Sequence, residues 1–306
     1  MNIPPNSPVA NPISALNSAD TDGVLAVIIR VDGPSYRPVG AMMAIFVDGR
    51  RVGTLSSGCI ENDLALHARD SLKTNRPKRV IYGLGSPYID IQLPCGGGLE
   101  ILLLPRPDRA IIAKLAQAGS SRRACTLEID MPSGTLSISQ TGETENMDPL
   151  FSLHLVPETL FYIFGKGPEA GTFAAMVQSA GFPNILASPD RETLEFGKVS
   201  GCETRHLKTA GFPADLHPDA WSAVVLFFHD HEWEPPILKA ALASDAFYIG
   251  AQGSQKARDS RLREIAALGV SPQDIARLKG PIGLVPSARD ARTLAVSVFA
   301  EVLSLV

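Results

Sequence analysis

One stretch decides the fold of the second half of the chain: Leu160-Phe161-Tyr162-Ile163-Phe164-Gly165-Lys166-Gly167-Pro168-Glu169-Ala170. The apolar run predicts a short buried strand, and the apolar positions that follow Pro168 recur at helical spacing. The turn between them has the pattern Gly-x-Gly-x-x-Ala, in which free amides at a helix start hold the phosphates of a dinucleotide. Asp190 follows at about the 20-residue distance at which an acid commonly meets a ribose. A turn that only tightens a strand–helix junction is the alternative.

The rest of the C-terminal half repeats this alternation of strand and helix. Apolar runs predict strands at 184–187, 223–228 and 246–249. Helical segments separate the later runs, and a last helix is predicted from about Asp290 to Leu303. Strands that alternate with helices favour a parallel, doubly wound sheet. We therefore predict a Rossmann-like domain over residues 157–306.

The N-terminal half has a different pattern. Its apolar runs predict strands at 24–29, 41–47, 89–93 and 99–104. An Asp48-Gly49 turn closes the second run as a hairpin, and a helix is predicted from near Cys59 to about Asn75. These elements predict an α+β domain over residues 1–156. The predicted fold class is thus α/β overall, with an N-terminal α+β domain followed by a Rossmann-like doubly wound parallel-sheet domain.

Two cysteines lie among small residues, in the segments Ser56-Ser57-Gly58-Cys59-Ile60-Glu61 and Pro94-Cys95-Gly96-Gly97-Gly98. Small neighbours let the backbone approach a bound group and leave the sulfur uncovered. Cys59 is predicted at a helix N-terminus, which stabilises negative charge, so its sulfur suits nucleophilic attack, persulfide carriage or ligation of molybdenum. Cys95 either faces the same space or is an accidental thiol in a glycine loop. Glu61 is either a base or a favourable charge at the helix start.

Two later strand ends carry candidate binding residues. The segment His229-Asp230-His231-Glu232 follows a predicted strand, at the edge of a doubly wound sheet where ligands bind. The imidazoles of His229 and His231 could bind a metal or handle protons, and a solvated acidic turn is the alternative. Gly253 and Ser254 follow the next strand, where they form either a second anion contact or a simple turn.

Arg37 lies between conformationally restricted residues in the segment Gly33-Pro34-Ser35-Tyr36-Arg37-Pro38-Val39-Gly40. A guanidinium held in this way suits bidentate binding of a phosphate. A surface salt bridge is the ordinary alternative.

The composition of the 306 residues is that of an ordinary soluble protein, with 45% hydrophobic and 20% charged residues. The net charge of -4 argues against nucleic acid as a partner. Apolar runs fall well short of the roughly 20 residues of a spanning helix, and the N-terminus does not resemble a signal peptide, so no membrane contact is expected. The four cysteines form no C-x-x-C pair, which favours free thiols in a reducing cytoplasm. Cys125 and Cys202 are interpreted as incidental.

In sequence order, these and further segments resemble the xanthine dehydrogenase accessory protein family (XdhC/CoxI). The matching segments are Pro34-Ser35-Tyr36-Arg37-Pro38-Val39-Gly40-Ala41, Ser57-Gly58-Cys59-Ile60-Glu61, Cys95-Gly96-Gly97, His229-Asp230-His231-Glu232, Tyr248-Ile249-Gly250-Ala251-Gln252-Gly253-Ser254, Gly280-Pro281-Ile282-Gly283-Leu284 and Ala295-Val296-Ser297-Val298-Phe299-Ala300-Glu301. The resemblance extends from about Gly23 to the C-terminus, and any one segment alone would be weak.

The resemblance implies an accessory protein that binds molybdenum cofactor (molybdopterin), assists its sulfuration and inserts it into a xanthine dehydrogenase-like molybdenum hydroxylase. It further implies a cysteine desulfurase as a partner, a homodimer, and a carrier rather than a catalyst. By position, Cys59 and Cys95 become candidates for cofactor binding through molybdenum, and Arg37 becomes a candidate contact for the cofactor's phosphate.

An NAD(P)-dependent oxidoreductase is the alternative function. It would bind NAD(P) or another nucleotide through Gly165, Gly167, Ala170 and Asp190. The cysteine pair discriminates between the two hypotheses, because a plain dehydrogenase has no need for it. A third hypothesis is a scaffold whose pockets are empty relics.

Overall fold

In the N-terminal unit, which extends to Pro157, the described strands form two antiparallel sheets. The structure is a computed structural model that describes residues 11–56, 58–86, 93, 96–140, 142–229 and 232–306. The first sheet has the order β3-β2-β1-β5-β4, from β1 (Gly23–Asp32), β2 (Met42–Phe46), β3 (Arg51–Gly53), β4 (Lys78–Gly83) and β5 (Gly98–Pro105). The second has the order β7-β6-β9-β8, from β6 (Cys125–Asp130), β7 (Leu136–Ser139), β8 (Glu145–Met147) and β9 (Leu150–Leu155). The helices are α1 (Pro12–Ser18), α2 (Glu61–Thr74) and α3 (Arg109–Ser120).

The buried middle of β1 sets how this unit is layered. Successive side chains of a strand point to opposite faces of its sheet. Val24 and Ile28 lie in the cluster that contains the apolar side chains of α2. Leu25 and Val27 lie in the cluster that contains α3 and the second sheet. The strand therefore joins two apolar layers, with α2 on one side and the second sheet on the other.

The helix α2 differs slightly from its predicted bounds. It begins at Glu61, two residues after Cys59, and ends at Thr74. Asn75 closes it in the left-handed conformation with φ 51°. Of the predicted strand 89–93, residues 89–92 lie outside the described residues.

The second unit, from Glu158 to Val306, contains a parallel sheet. Its order is β12-β11-β10-β13-β14-β15, from β10 (Leu160–Gly165), β11 (Asn184–Ser188), β12 (Glu203–His206), β13 (Ser222–Phe227), β14 (Tyr248–Ala251) and β15 (Leu278–Lys279). The helices are α4 (Pro168–Ser179), α5 (Arg191–Val199), α6 (Glu234–Leu242), α7 (Gln255–Ala267), α8 (Pro272–Ala276) and α9 (Ala291–Leu303).

This strand order places two wound halves on either side of β10, as in a Rossmann fold. Both faces of β10 are buried: Tyr162 and Phe164 pack toward α6, and Phe161 and Ile163 pack toward α4 and α9. The predicted fold class is confirmed. The ends of β10 and β13 lie at the switch point of the sheet, where such folds bind their ligands. The division into separately folding domains, 1–156 and 157–306, stays a prediction.

Three strands of the second unit differ from the predicted elements. The strand β15 was not predicted, because it has only two residues. The strand β12 (Glu203–His206) was not predicted, because its residues are polar and partly exposed. The strand predicted at 246–249 lies at Tyr248–Ala251. Within the described ranges, the helices all fall short of the length and apolarity that crossing a bilayer requires.

Candidate functional site

The carboxylate of Glu61 organises the loop that precedes α2. Its Oε1 accepts hydrogen bonds from Thr54 Oγ1 at 2.7 Å and from the amide of Ser56 at 2.9 Å. Its Oε2 accepts from Ser56 Oγ at 2.7 Å. The amides of Leu55 and Ile60 also donate to this carboxylate, at 3.3 and 3.2 Å. A single buried side chain thus holds both ends of the loop.

The ionisation of Glu61 follows from these bonds. Burial alone would raise the pKa of the carboxyl, but hydrogen bonds from Ser56 and Thr54 outweigh burial and lower the pKa below its ordinary value. Because these donors already occupy the carboxylate oxygens, the arrangement favours an anchoring role for Glu61 over that of a base.

Cys59 lies on the loop that the Glu61 carboxylate anchors. Its side chain is exposed, and its amide donates to Ser56 Oγ at 3.1 Å. The hydroxyl of Ser56 therefore links the Glu61 carboxylate to the backbone of Cys59. Gly58 has a φ of +97°, and no heavy atom lies within 4 Å of where its Cβ would be. The space beside the loop is thus open to a ligand. Cys95 lies outside the described residues.

An open depression of about 560 Å³ adjoins this loop. It is lined by Tyr36, Arg37, Arg51, Gly58, Glu61 and Asn62, among others. The side chain of Arg37 is exposed, and none of the described residues pairs with its guanidinium. Ser35 Oγ donates to the Arg37 carbonyl at 2.8 Å, which fixes the backbone there. The structure therefore places the exposed Arg37 and residues of the Cys59 loop around one depression.

In the second unit, the glycine loop after β10 has one glycine in a tightly packed position and one with a positive φ. A Cβ at Gly165 would lie 2.6 Å from the carbonyl oxygen of Phe227 and 2.9 Å from the Cβ of Ala170. Gly165 and Ala170 therefore allow close contact between β10, β13 and α4. Gly167 has a φ of +87°, a conformation that side chains rarely adopt, and a Cβ there would lie 3.7 Å from Glu169 Oε2.

Asp190 is already engaged in a chain of hydrogen bonds. Its Oδ2 accepts from the amide of Thr193 at 2.8 Å and from Thr193 Oγ1 at 2.6 Å. Thr193 Oγ1 in turn accepts from the amide of Gly167 at 2.8 Å. The bonds from Thr193 lower the pKa of the Asp190 carboxyl. The Thr193 hydroxyl thus links the Gly167 amide to the Asp190 carboxylate, and the contact of Asp190 with a ribose stays a prediction.

His229 lies at the carboxyl end of β13, where the sequence predicts a site. Its Nε2 is 3.5 Å from Glu169 Oε2 and 3.2 Å from Gln252 Nε2. Gly253 and His229 both line a cavity at the carboxyl ends of β13 and β14. Ser254 Oγ accepts from the amide of Ala257, so Ser254 caps α7. Asp230 and His231 lie outside the described residues.

Among the described residues, no group of three or more His, Cys, Asp or Glu side chains could hold a metal ion. The predicted metal site at His229 and His231 and the molybdenum site at Cys59 and Cys95 each involve a residue outside that part of the chain. Both sites therefore stay predictions.

A buried ion pair that sequence reasoning missed supports the end of β14. Arg261 and Glu234 have side chains only 2% and 1% exposed, and Arg261 Nε donates to Glu234 Oε2 at 2.9 Å. Arg261 Nη2 also donates to the carbonyl of Gln252 at 2.7 Å. Arg261 is therefore a buried structural residue and does not face solvent. Its only sequence signal is its proximity to the glycine turn.

Comparison with known proteins shows which family the chain resembles. Residues 161–302 match the family model for the XdhC Rossmann domain, and residues 16–83 match the model for the XdhC and CoxI family. The molybdenum cofactor insertion chaperone PaoD of Escherichia coli K12 is 32% identical over 288 residues, covering 92% of this chain and 83% of PaoD. The chain belongs to the XdhC and CoxI family. The predicted resemblance is confirmed.

Other relatives of this XdhC-family chain agree with the fold. A probable xanthine dehydrogenase subunit of Bacillus subtilis 168 is 24% identical over 328 residues, covering 95% of each chain. A crystal structure described as a xanthine dehydrogenase from Bacillus halodurans has a TM-score of 0.78 and 23% identity. It covers 98% of the present chain and 95% of its own. The XdhC-family fold therefore extends over both units.

Proposed function

We propose that this XdhC-family chain is a carrier that binds molybdenum cofactor and inserts it into a xanthine dehydrogenase-like molybdenum hydroxylase. The observation that carries the proposal is the exposed Cys59 thiol on a loop anchored by Glu61, whose residues Ser56 and Gly58 line one depression with the exposed Arg37. The relative PaoD, a molybdenum cofactor insertion chaperone, supports this reading.

The chemistry of the depression suits such a cargo. A cysteine sulfur is a soft ligand for molybdenum, and a guanidinium binds a phosphate through paired hydrogen bonds. In this proposal Cys59 and Cys95 contact the metal end of the cofactor and Arg37 contacts its phosphate. Glu61 keeps the loop in place and does not move a proton, so the chain acts as a carrier rather than a catalyst.

We also propose a cysteine desulfurase as the partner that supplies the cofactor's terminal sulfur, a homodimeric state and a cytoplasmic location. The support for the location is chemical: Cys59, Cys125 and Cys202 are free thiols, which a reducing compartment preserves. His229, His231, Gly253 and Ser254 are proposed as contacts at the sheet edge of the second unit.

Retention of molybdenum cofactor tests the carrier proposal. Purified protein is incubated with the cofactor and passed through gel filtration, and molybdenum and pterin are measured in the protein fraction. We expect Cys59→Ala to weaken retention at least about tenfold, and Arg37→Met to weaken it by about 10- to 100-fold, the value of a charge-assisted hydrogen bond.

Matched controls are the cysteine substitution Cys202→Ala and the arginine substitution Arg109→Met, at an exposed arginine away from the depression. Both should retain cofactor as the wild type does. Equal retention by Cys59→Ala and the wild type would contradict the assignment of Cys59, and negligible retention by the wild type would contradict the carrier function.

The alternative, an NAD(P)-dependent oxidoreductase, is not favoured. The ribose of a dinucleotide would need the Asp190 carboxylate, and Asp190 Oδ2 and the Gly167 amide are already bonded to Thr193 Oγ1. We expect calorimetric titration with NADH and with NADPH to give no saturable heat. Saturable binding of either nucleotide, abolished by Asp190→Ala, would restore the alternative.

A further inference from the structure

A second cavity, of about 330 Å³, lies at the carboxyl ends of β13 and β14. We call it the Gln252 pocket. Its lining includes Glu169, His229, Gln252, Ile282, Arg289 and Leu294. Its size is within the range of small-molecule sites, and its position at strand ends is where Rossmann folds bind ligands.

Within the part of the chain that the structure describes, the Gln252 pocket contains a buried acceptor that lacks a donor. The side chain of Gln252 is only 6% exposed, and its Oε1 has no hydrogen-bond partner among the described residues. The Glu169 side chain is 23% exposed, and its Oε2 lies 3.5 Å from His229 Nε2. Because buried acceptors are nearly always paired in native proteins, the unpaired Gln252 Oε1, with the Glu169 carboxylate in the same cavity, points to a ligand that brings donors.

The backbone of Gln252 is held by hydrogen bonds, whereas its side-chain amide is held by one neighbour within the described chain. The backbone carbonyl of Gln252 is held by Arg261, which is itself paired with Glu234. Among the described residues, the side-chain amide has one hydrogen-bond partner, the imidazole of His229, at 3.2 Å. A rotation of the amide would therefore break one contact and present Oε1 to a ligand, without disturbing the backbone.

We propose that the Gln252 pocket binds the pyrimidine edge of a 2-amino-4-oxo heterocycle, the class that includes pterins and guanine. The ring N–H and the amino group of this edge donate side by side, which matches the Glu169 carboxylate. The Gln252 amide accepts a further N–H or donates to the ring carbonyl. Ile282 and Leu294 supply apolar surface for the ring, and the exposed Arg289 suits a phosphate carried by the ligand.

The choice of a pterin as the natural ligand rests on the proposed function, whereas the donor-rich edge rests on the pocket alone. Two sources share this edge: the pterin of the cargo and a guanine nucleotide. The probes are therefore 6-hydroxymethylpterin, followed by its fluorescence, and GMP as a competitor. Tighter binding of the pterin assigns the pocket to the cargo, and tighter binding of GMP assigns it to a nucleotide.

The compound 6-hydroxymethyllumazine, called lumazine below, carries a carbonyl in place of the amino group of the pterin probe and tests the edge itself. We expect 6-hydroxymethylpterin or GMP to bind saturably and lumazine to bind at least about tenfold more weakly, because its carbonyl would face the Glu169 carboxylate. Equal binding of lumazine and the pterin would overturn the proposal, and so would the absence of saturable binding by both the pterin and GMP.

Substitutions in the wild-type chain complete the test. Glu169→Gln and Gln252→Met should each weaken binding of the tighter probe by about 10- to 100-fold. The controls Glu192→Gln, in the first turn of α5, and Gln255→Met, in the first turn of α7, should leave it unchanged. Unchanged probe binding in Glu169→Gln and Gln252→Met overturns the pocket assignment even if the chain retains molybdenum cofactor. Loss of probe binding in those variants supports the pocket even if cofactor retention fails.

Discussion

Replacing Glu61 with alanine should lower the free energy of unfolding of the N-terminal unit by about 3 kcal/mol or more. The substitution removes the acceptor for the Ser56 hydroxyl and for buried amides of the loop, and it leaves these donors unpaired. The Thr54 hydroxyl keeps its bond to the carbonyl of Ser56. Amide hydrogen exchange in α2 is the measurement, because this helix begins at the substituted residue. Both tryptophans, Trp221 and Trp233, lie in the second unit, so their fluorescence provides an internal control.

The pH dependence of this effect has a definite sign. The folded pKa of Glu61 lies below its ordinary value of 4.5, so the stabilisation is fully present above pH 4.5 and is lost as the pH falls through the folded pKa. The difference between the wild type and Glu61→Ala should therefore be largest near neutral pH and shrink in acid. Glu192→Ala, in the exposed first turn of α5, should change stability little at either pH. A difference in stability between the wild type and Glu61→Ala that grows in acid would contradict the anchoring role.

Replacing Arg261 with methionine should destabilise the second unit by about 3–5 kcal/mol, the usual result of leaving one member of a buried ion pair alone. Glu234 would lose both hydrogen bonds from the guanidinium, and the carbonyl of Gln252 would lose its donor. Urea unfolding followed by tryptophan fluorescence measures this effect directly, because Trp233 immediately precedes Glu234.

Two further variants show whether the ion pair causes the loss. Arg263→Met changes an exposed arginine of the same helix and should stay within about 0.5 kcal/mol of the wild type. The double variant Arg261→Met with Glu234→Leu should be less destabilised than the sum of its single variants, since it leaves no buried charge unpaired. Additive losses in the double variant would show that the two side chains act independently.

The sequence predicts those parts of the fold that local patterns determine. The apolar run that became β10 and the glycine turn after it identify the parallel sheet, because a strand buried on both faces must be apolar throughout. The strand β12 could not be found in this way. Its polar residues obtain their pairing from β11, and no pattern within Glu203–His206 records that neighbour.

The candidate site also contains residues that local sequence patterns identify and contacts that they do not. Cys59 and Arg37 could be selected as candidates because of their small or conformationally restricted neighbours. The internal bond from Thr193 to Asp190, by contrast, gives the apparent ribose acid a structural partner. The pairing of Arg261 with Glu234 joins residues on separate helices, and only the folded chain shows that both are buried. Such contacts depend on tertiary packing, which spacing along the sequence does not reveal.

The most direct test of the account is the molybdenum and pterin content of the full chain purified from cells that make molybdenum cofactor. We predict both components in roughly equal amounts in the wild type and a marked loss of both in Cys59→Ala, with Cys202→Ala unchanged. If wild-type protein from such cells contains neither molybdenum nor pterin above the level found in protein from cofactor-deficient cells, the chain is not a carrier of this cofactor.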